Sequence, residues 1–186
     1  MKHVKLLLLF VLFSAATTVY GQAFKKGTNV IALGIGLGSS LSYSYGSISP
    51  AFSAQYEKGL WEVGPGVISL GGYLGFISQK NTGSYYRQKW SYTIIGVRSA
   101  YHYTGFTEGK LANLDVYAGV MASYHITSYK IDYYGTGGQG FSGDYPSALD
   151  ANVYVGGRYY FTKNIAGFAE AGYGISYLTI GLAFKF

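Results

Sequence analysis

Gly135, Gly137 and Gly140 satisfy the spacing G-x-G-x-x-G, which lets a backbone approach a pyrophosphate closely. That chemistry needs the motif between a strand and the first turn of a helix. Here Gly135-Thr136-Gly137-Gly138-Gln139-Gly140 lies in a polar stretch with no helical periodicity after it, so no nucleotide site is expected. His102 and His125 are two imidazoles at alternating positions of one parity. A metal would want them at matched height with a further ligand, and no third ligand is evident. Asp132, Asp144 and Asp150 flank the polar stretch, but their spacing is no EF-hand loop. Neither a metal nor a cofactor is expected.

Six other charged residues have a more definite reading. Glu57, Arg98, Asp115, Arg158, Glu170 and Lys185 all fall on the Gly-rich, polar parity of apolar-alternating segments. Buried charges must pair or hold water, so these six are expected to form a network, with Arg158 and Glu170 as its leading pair. A separate group, Tyr133, Tyr134, Phe141 and Tyr145, lies among Gly and Ser in the longest connection, with Tyr85 and Tyr86 in another. Tyr amid Ser and Gly supplies contact area at low entropic cost, and an aromatic belt at a membrane surface is the other use of such a group.

The elements that must position these groups read with period two. Val30 to Gly38 sets Ile31, Leu33, Ile35 and Leu37 against Gly34, Gly36 and Gly38, a strand with one greasy and one bare face. The same alternation recurs over 48–57, 67–76, 94–103, 114–126, 152–161, 168–173 and 177–186. Eight segments, mostly about 9 to 14 residues long where a tilted strand needs roughly 9–11 to cross hydrocarbon, predict an all-β, antiparallel, up-and-down barrel. In lipid no strand edge can remain unpaired, so the sheet must close. Cations facing the bilayer midplane would cost about 2–4 kcal/mol each, so the charged parity belongs inside. Aromatics at strand ends, Tyr56, Trp61, Tyr103, Tyr159, Phe161 and Phe186, suit interfacial girdles. Connections alternate between long (39–46, 78–89, 130–147) and short (58–62, 104–113, 162–164), with the last long-side one, 174–176, an exception. Short turns are periplasmic in such barrels, which would place both termini there.

Composition agrees with a barrel whose outside does not meet water. Of 186 residues, 12% are charged, against roughly 25% in soluble domains, while 18% are aromatic and 28 are Gly. With no Cys, neither a disulfide scaffold nor a Cys-ligated zinc site is available. Lys2, His3 and Lys5 precede the apolar run 6–13, and small residues before Gln22 suit cleavage, so 1–21 reads as a secretory signal peptide and 22–186 as the barrel domain. Without the leader, 12 basic and 8 acidic residues leave a net charge of +4, scattered along the chain, so nucleic acid is not an expected partner.

Thr179, Gly181, Phe184 and Phe186 end the chain in a pattern that resembles the assembly signal of outer-membrane barrels. Together with Gly157-Arg158-Tyr159-Tyr160-Phe161-Thr162 and Phe168-Ala169-Glu170-Ala171-Gly172-Tyr173-Gly174, it resembles the small OmpA/OmpX-like eight-stranded outer-membrane β-barrel family. The resemblance implies residence among outer-membrane lipids and insertion by the barrel-assembly machinery. A monomer is expected. It implies no single activity. Lipid-deacylating barrels would need a His and a Ser two apart facing lipid, whereas His125 is followed by Ile126 and Thr127 and turns inward, so no enzyme is expected. The expected role is structural, or surface contact through the outer loops. The alternatives are a narrow channel and a secreted lipocalin-like barrel. The lipocalin reading is opposed by the one-faced series Leu178, Ile180, Leu182, Phe184 and Phe186 and by the lack of a Gly-x-Trp.

Overall fold

The computed structural model describes residues 23–38, 47–106, 108–134 and 139–186, with the backbone alone described at Tyr145. The expected leader, 1–21, lies outside the described residues, as do Gly135 to Gly138 of the glycine motif. The strands are β1 (Asn29–Leu37), β2 (Ser47–Ile48), β3 (Ala51–Val63), β4 (Gly66–Thr82), β5 (Tyr86–Tyr103), β6 (Leu114–Tyr133), β7 (Phe141–Tyr160), β8 (Ile165–Gly172) and β9 (Leu178–Lys185). A short 3-10 turn, Gly109–Asn113, precedes β6. Eight strands pair antiparallel in the ring β1-β3-β4-β5-β6-β7-β8-β9, which β1 and β9 close from Val30↔Lys185 to Leu37↔Leu178. The two-residue β2 carries the line of β3 past Pro50, pairing with Gln79 and Lys80. Pro50 offers no N–H to the ladder, which accounts for the break.

Closure fixes two faces. Ile31, Leu33, Ile35 and Leu37 of β1, Leu70, Leu74 and Phe76 of β4, and Leu178, Ile180, Leu182 and Phe184 of β9 point outward and are exposed. Val30, Ala32, Gln55, Glu57, Arg98, His102, Asp115, Arg158 and Glu170 point inward and are buried. Parity assigned from sequence and observed parity agree in every ring strand. From Leu178 to Phe186 the apolar face advances eight residues, roughly 20 Å along the barrel axis at about 40° of tilt. Tyr56, Trp61, Tyr101, Tyr103, Tyr159, Phe161 and Phe186 ring its lower edge, the end that holds Ala23 and Phe186. Phe52 lies opposite Phe76 at the upper edge.

Four strands differ from expectation in length. β4 through β7 run for 17, 18, 20 and 20 residues, against 9, 8 and 8 for β1, β8 and β9. Most of 78–89 and 130–147, expected as loops, is ladder: Thr82 still faces Arg87, and Ile131 still faces Phe141. Tyr86, Tyr133 and Phe141 therefore sit in strands, with Tyr134 and Tyr85 joined at the tips by a backbone hydrogen bond of 2.9 Å. The physical reason is that a strand with water on both faces loses its apolar alternation while its Ser, Thr, Tyr and Ile content still favours extended backbone.

Candidate functional site

The interior is a side-chain plug built on the expected charges. Arg98 on β5 makes a two-pronged bond to Glu170 on β8, Nη2–Oε2 2.6 Å and Nη1–Oε1 3.3 Å. Its Nε lies 2.8 Å from Glu57 Oε1 on β3. Arg158 on β7 bonds the other oxygen of Glu57, and its Nη1 reaches Asp115 Oδ2 at 3.3 Å. Asp115 Oδ1 in turn holds His102 Nδ1 at 2.8 Å, and His102 Nε2 meets Ser69 Oγ at 3.0 Å. Two guanidiniums, three carboxylates and an imidazole thus form one connected chain across the lumen. Such a network resists dissection, because removing one member leaves its partners charged and dry.

Two expectations about this network are corrected. Arg158 and Glu170 are not partners. Arg158 lies opposite Asp115 across β6–β7, while Glu170 lies opposite Gly156, two residues from Arg158 on the same strand. Glu170 is instead reached by Arg98 from across the barrel. Lys185 stands apart from the network: its Nζ donates to the carbonyl of Ala23 at 3.1 Å and lies 4.3 Å from the centre of the Tyr160 ring. It holds the N-terminal segment rather than a carboxylate.

Tyrosines placed inward by parity, but given no role from sequence, shape the cavity around the charges. Tyr154 lies under Arg98, guanidinium carbon 3.9 Å from the ring centre, and Tyr117 lies under Arg158 at 4.5 Å. Each ring occupies the space above a glycine directly opposite it, Tyr154 over Gly119 and Tyr117 over Gly156. A Cβ on Gly119 would come within 2.5 Å of the Tyr154 hydroxyl, and one on Gly156 within 2.6 Å of the Tyr117 ring. The detectable signal was the Tyr-opposite-Gly register, invisible until pairing is known. Tyr154 also accepts from Arg98 Nε at 3.1 Å and donates to the Ser99 carbonyl at 3.2 Å. Tyr154→Phe is expected to lower the unfolding free energy by about 1–2 kcal/mol with an unchanged far-UV circular dichroism spectrum, as measured by urea titration in micelles.

Both mouths are stoppered. Near the termini Phe24, 1% exposed, stacks on His102 with ring centres 3.8 Å apart and planes 10° apart. At the other end Ile175, from the short β8–β9 connection, is buried among Tyr73, Met121 and Tyr154. A cavity near the β8–β9 connection that touches Arg98, Asn152, Glu170 and Thr179 measures about 20 Å³, space for about one water. It is not a water column.

His125 turns inward, as expected from parity, and a serine lies two residues before it. Ser123 Oγ is 3.2 Å from His125 Nε2, and Asp150 Oδ2 is 3.9 Å from the same nitrogen. A catalytic base presents one nitrogen to the nucleophile and the other to its orienting acid. With both neighbours on Nε2, this trio does not assemble a triad. No group of three or more His, Asp or Glu poised to hold a metal occurs among the described residues. Of the assembly-signal positions, Thr179 and Gly181 face the lumen while Phe184 and Phe186 face outward.

No protein-family model matches the chain, and no curated protein matches it. Solved structures do. The attachment invasion locus protein Ail of Yersinia pestis, solved with the heparin analogue sucrose octasulfate, is 13% identical over 87% of this chain and 96% of its own, with a TM-score of 0.49. The N-terminal β-barrel domain of Pseudomonas aeruginosa OprF is 15% identical over 87% and 98%, with a TM-score of 0.47. Neisserial surface protein A is 17% identical over 86% and 96%, with a TM-score of 0.42. In fold this chain is similar to all three.

Proposed function

We propose that the chain is a non-enzymatic, monomeric outer-membrane barrel that makes surface contacts through the prolonged β4–β7 sheet, with both termini in the periplasm. The observation that carries this reading is the uneven length of the strands. A tilted strand crosses hydrocarbon in about 9–11 residues, so β4 to β7 have about six to eleven residues more than crossing requires. These form a four-stranded sheet standing clear of the ring. On the β8 side, Phe141 to Asn152 of β7 has no strand partner among the described residues, because pairing with β8 begins only at Tyr154↔Gly172. An open strand edge is a template for an extended segment of another protein, and Pro146 within it limits pairing with copies of itself. Tyr133, Tyr134 and Phe141 add exposed aromatic area at the tips. Outer-membrane lipids surround the apolar belt, and β9, ending in Phe184 and Phe186, is the segment offered to the barrel-assembly machinery.

An epitope inserted at Ser84, at the β4–β5 tip, tests the arrangement in intact cells. Antibody labelling without permeabilisation is expected there, with none for an epitope after Phe186. Labelling of the C-terminal epitope alone would reverse the orientation. The narrow-channel alternative predicts reproducible single-channel steps in planar bilayers. The stoppered, ion-paired lumen predicts none.

A further inference from the structure

On the outward face of the long strands, residues line up in rows across neighbouring strands. Leu74, Ile95, Tyr124 and Leu149 face one another in the first row, and Phe76, Thr93 and Ile126 in the second. The third is Ser78, Ser91, Ser128 and Asp144. In the fourth Lys80 lies opposite Lys89, and Lys89 opposite Lys130. Three lysines in register on adjacent strands place like charges side by side, which destabilises a sheet in water. Only Lys130 has a carboxylate partner, Asp132 at 3.3 Å, and Lys80 and Lys89 have none among the described residues. Arg87, opposite Asp132, adds a further cation beside them. The polar row below carries one carboxylate, Asp144, which accepts from Ser128 at 3.0 Å and makes no ion pair with the lysines.

The height of this row gives it meaning. It lies four residues beyond Phe76, the last outward-facing apolar residue of β4, or roughly 10 Å above the belt along the barrel axis. Headgroup layers extend about 5–8 Å beyond the hydrocarbon on each side, and a lysine stem can lean toward them while its ammonium stays solvated. The three side chains are exposed on the outward face of the sheet, the face that carries the belt lower down.

We infer that Lys80, Lys89 and Lys130 form a clamp for the phosphate groups of lipid headgroups in the leaflet around the long-stranded end. The inference rests on the membrane reading above. Phosphate oxygens shared among three ammoniums remove the repulsion that the register creates, and the chelated headgroup would tie the projecting sheet to the membrane surface.

The test compares the full chain with the Lys80→Gln/Lys89→Gln/Lys130→Gln variant in nanodiscs of phosphatidylcholine alone or with phosphatidic acid. Retained lipid is counted by native mass spectrometry, and folding is followed by heat-modifiable electrophoresis. Each surface lysine contributes about fivefold in affinity for an anionic membrane. The triple variant should therefore fold normally and lose roughly 100-fold in apparent affinity for phosphatidic acid, with phosphatidylcholine retention unchanged. Lys25→Gln/Lys26→Gln/Lys163→Gln, which removes the same charge at the opposite end, should lose less phosphatidic acid than the row variant does, and an equal loss would overturn the clamp. Equal retention by the triple variant and parent would overturn the clamp alone. So would lysine-dependent binding of a soluble heparin fragment without preference for phosphatidic acid, which would make the row a polysaccharide site. Failure of the parent to insert into either nanodisc would overturn the membrane reading and the clamp with it.

Discussion

Arg98→Met is expected to destabilise the folded barrel by about 3–5 kcal/mol, the loss typical of removing one partner from a buried ion pair. Arg98 is 1% exposed and is the one guanidinium that touches Glu170, while it also shares Glu57 with Arg158. Its removal leaves three lumen carboxylates facing one guanidinium. Lys185 does not take its place, because its ammonium is committed to the Ala23 carbonyl at the far end. Urea titration in vesicles, followed through Trp61 and Trp90, reads the effect. Arg98→Met/Glu170→Leu should recover at least half of the loss, since replacing both members of a buried pair by apolar groups is often close to neutral. Lys185→Gln should lose less than about 1 kcal/mol. A loss below about 1 kcal/mol for Arg98→Met, or no recovery in the double variant, would show that the network does not hold the ring together.

The contrast between Arg98 and Lys185 shows what the sequence carried and what it did not. Inward orientation was legible for both, because parity along a strand is a local property and one residue of slip would have turned Lys185 outward and Leu182 inward. Partnership was not legible. Arg158 and Glu170 sit on neighbouring strands, yet their partners come from the register of β6 with β7 and from across the lumen, distances that no spacing along the chain encodes. The tyrosine shelves have the same origin: Tyr154 over Gly119 becomes visible only when residues 35 apart are placed opposite one another. Strand ends failed for a different reason. Alternation marks a strand only where its two faces meet different solvents, so the signal faded near Phe76 and Ile126 although the backbone ladder did not. The lysine row lies in that silent region, and so does the open edge of β7. The parts most open to a partner were thus the least legible, because contact surfaces that project into water carry no burial pattern.

Leu33→Arg separates the membrane reading from a soluble barrel by the sign of its effect. Leu33 is 55% exposed in the middle of the apolar face of β1, opposite Leu182 on one side and Ala54 on the other. In water an arginine there would meet solvent, and a surface change of that kind shifts stability by no more than about 0.5 kcal/mol. In a bilayer the same guanidinium stands near the hydrocarbon midplane and destabilises the barrel by about 2–4 kcal/mol. Ser91→Arg, on the same outward face of β5 but two rows above the belt at Leu74 and Ile95, should change stability by less than about 0.5 kcal/mol in vesicles, because the added charge stays among headgroups and water. The difference between the two arginines, measured by reversible unfolding from the same vesicles, therefore reports where the hydrocarbon ends. Equal and small effects at both positions would mean that water, not lipid, bathes the outside of the ring, and the outward leucines would then need a protein partner to cover them.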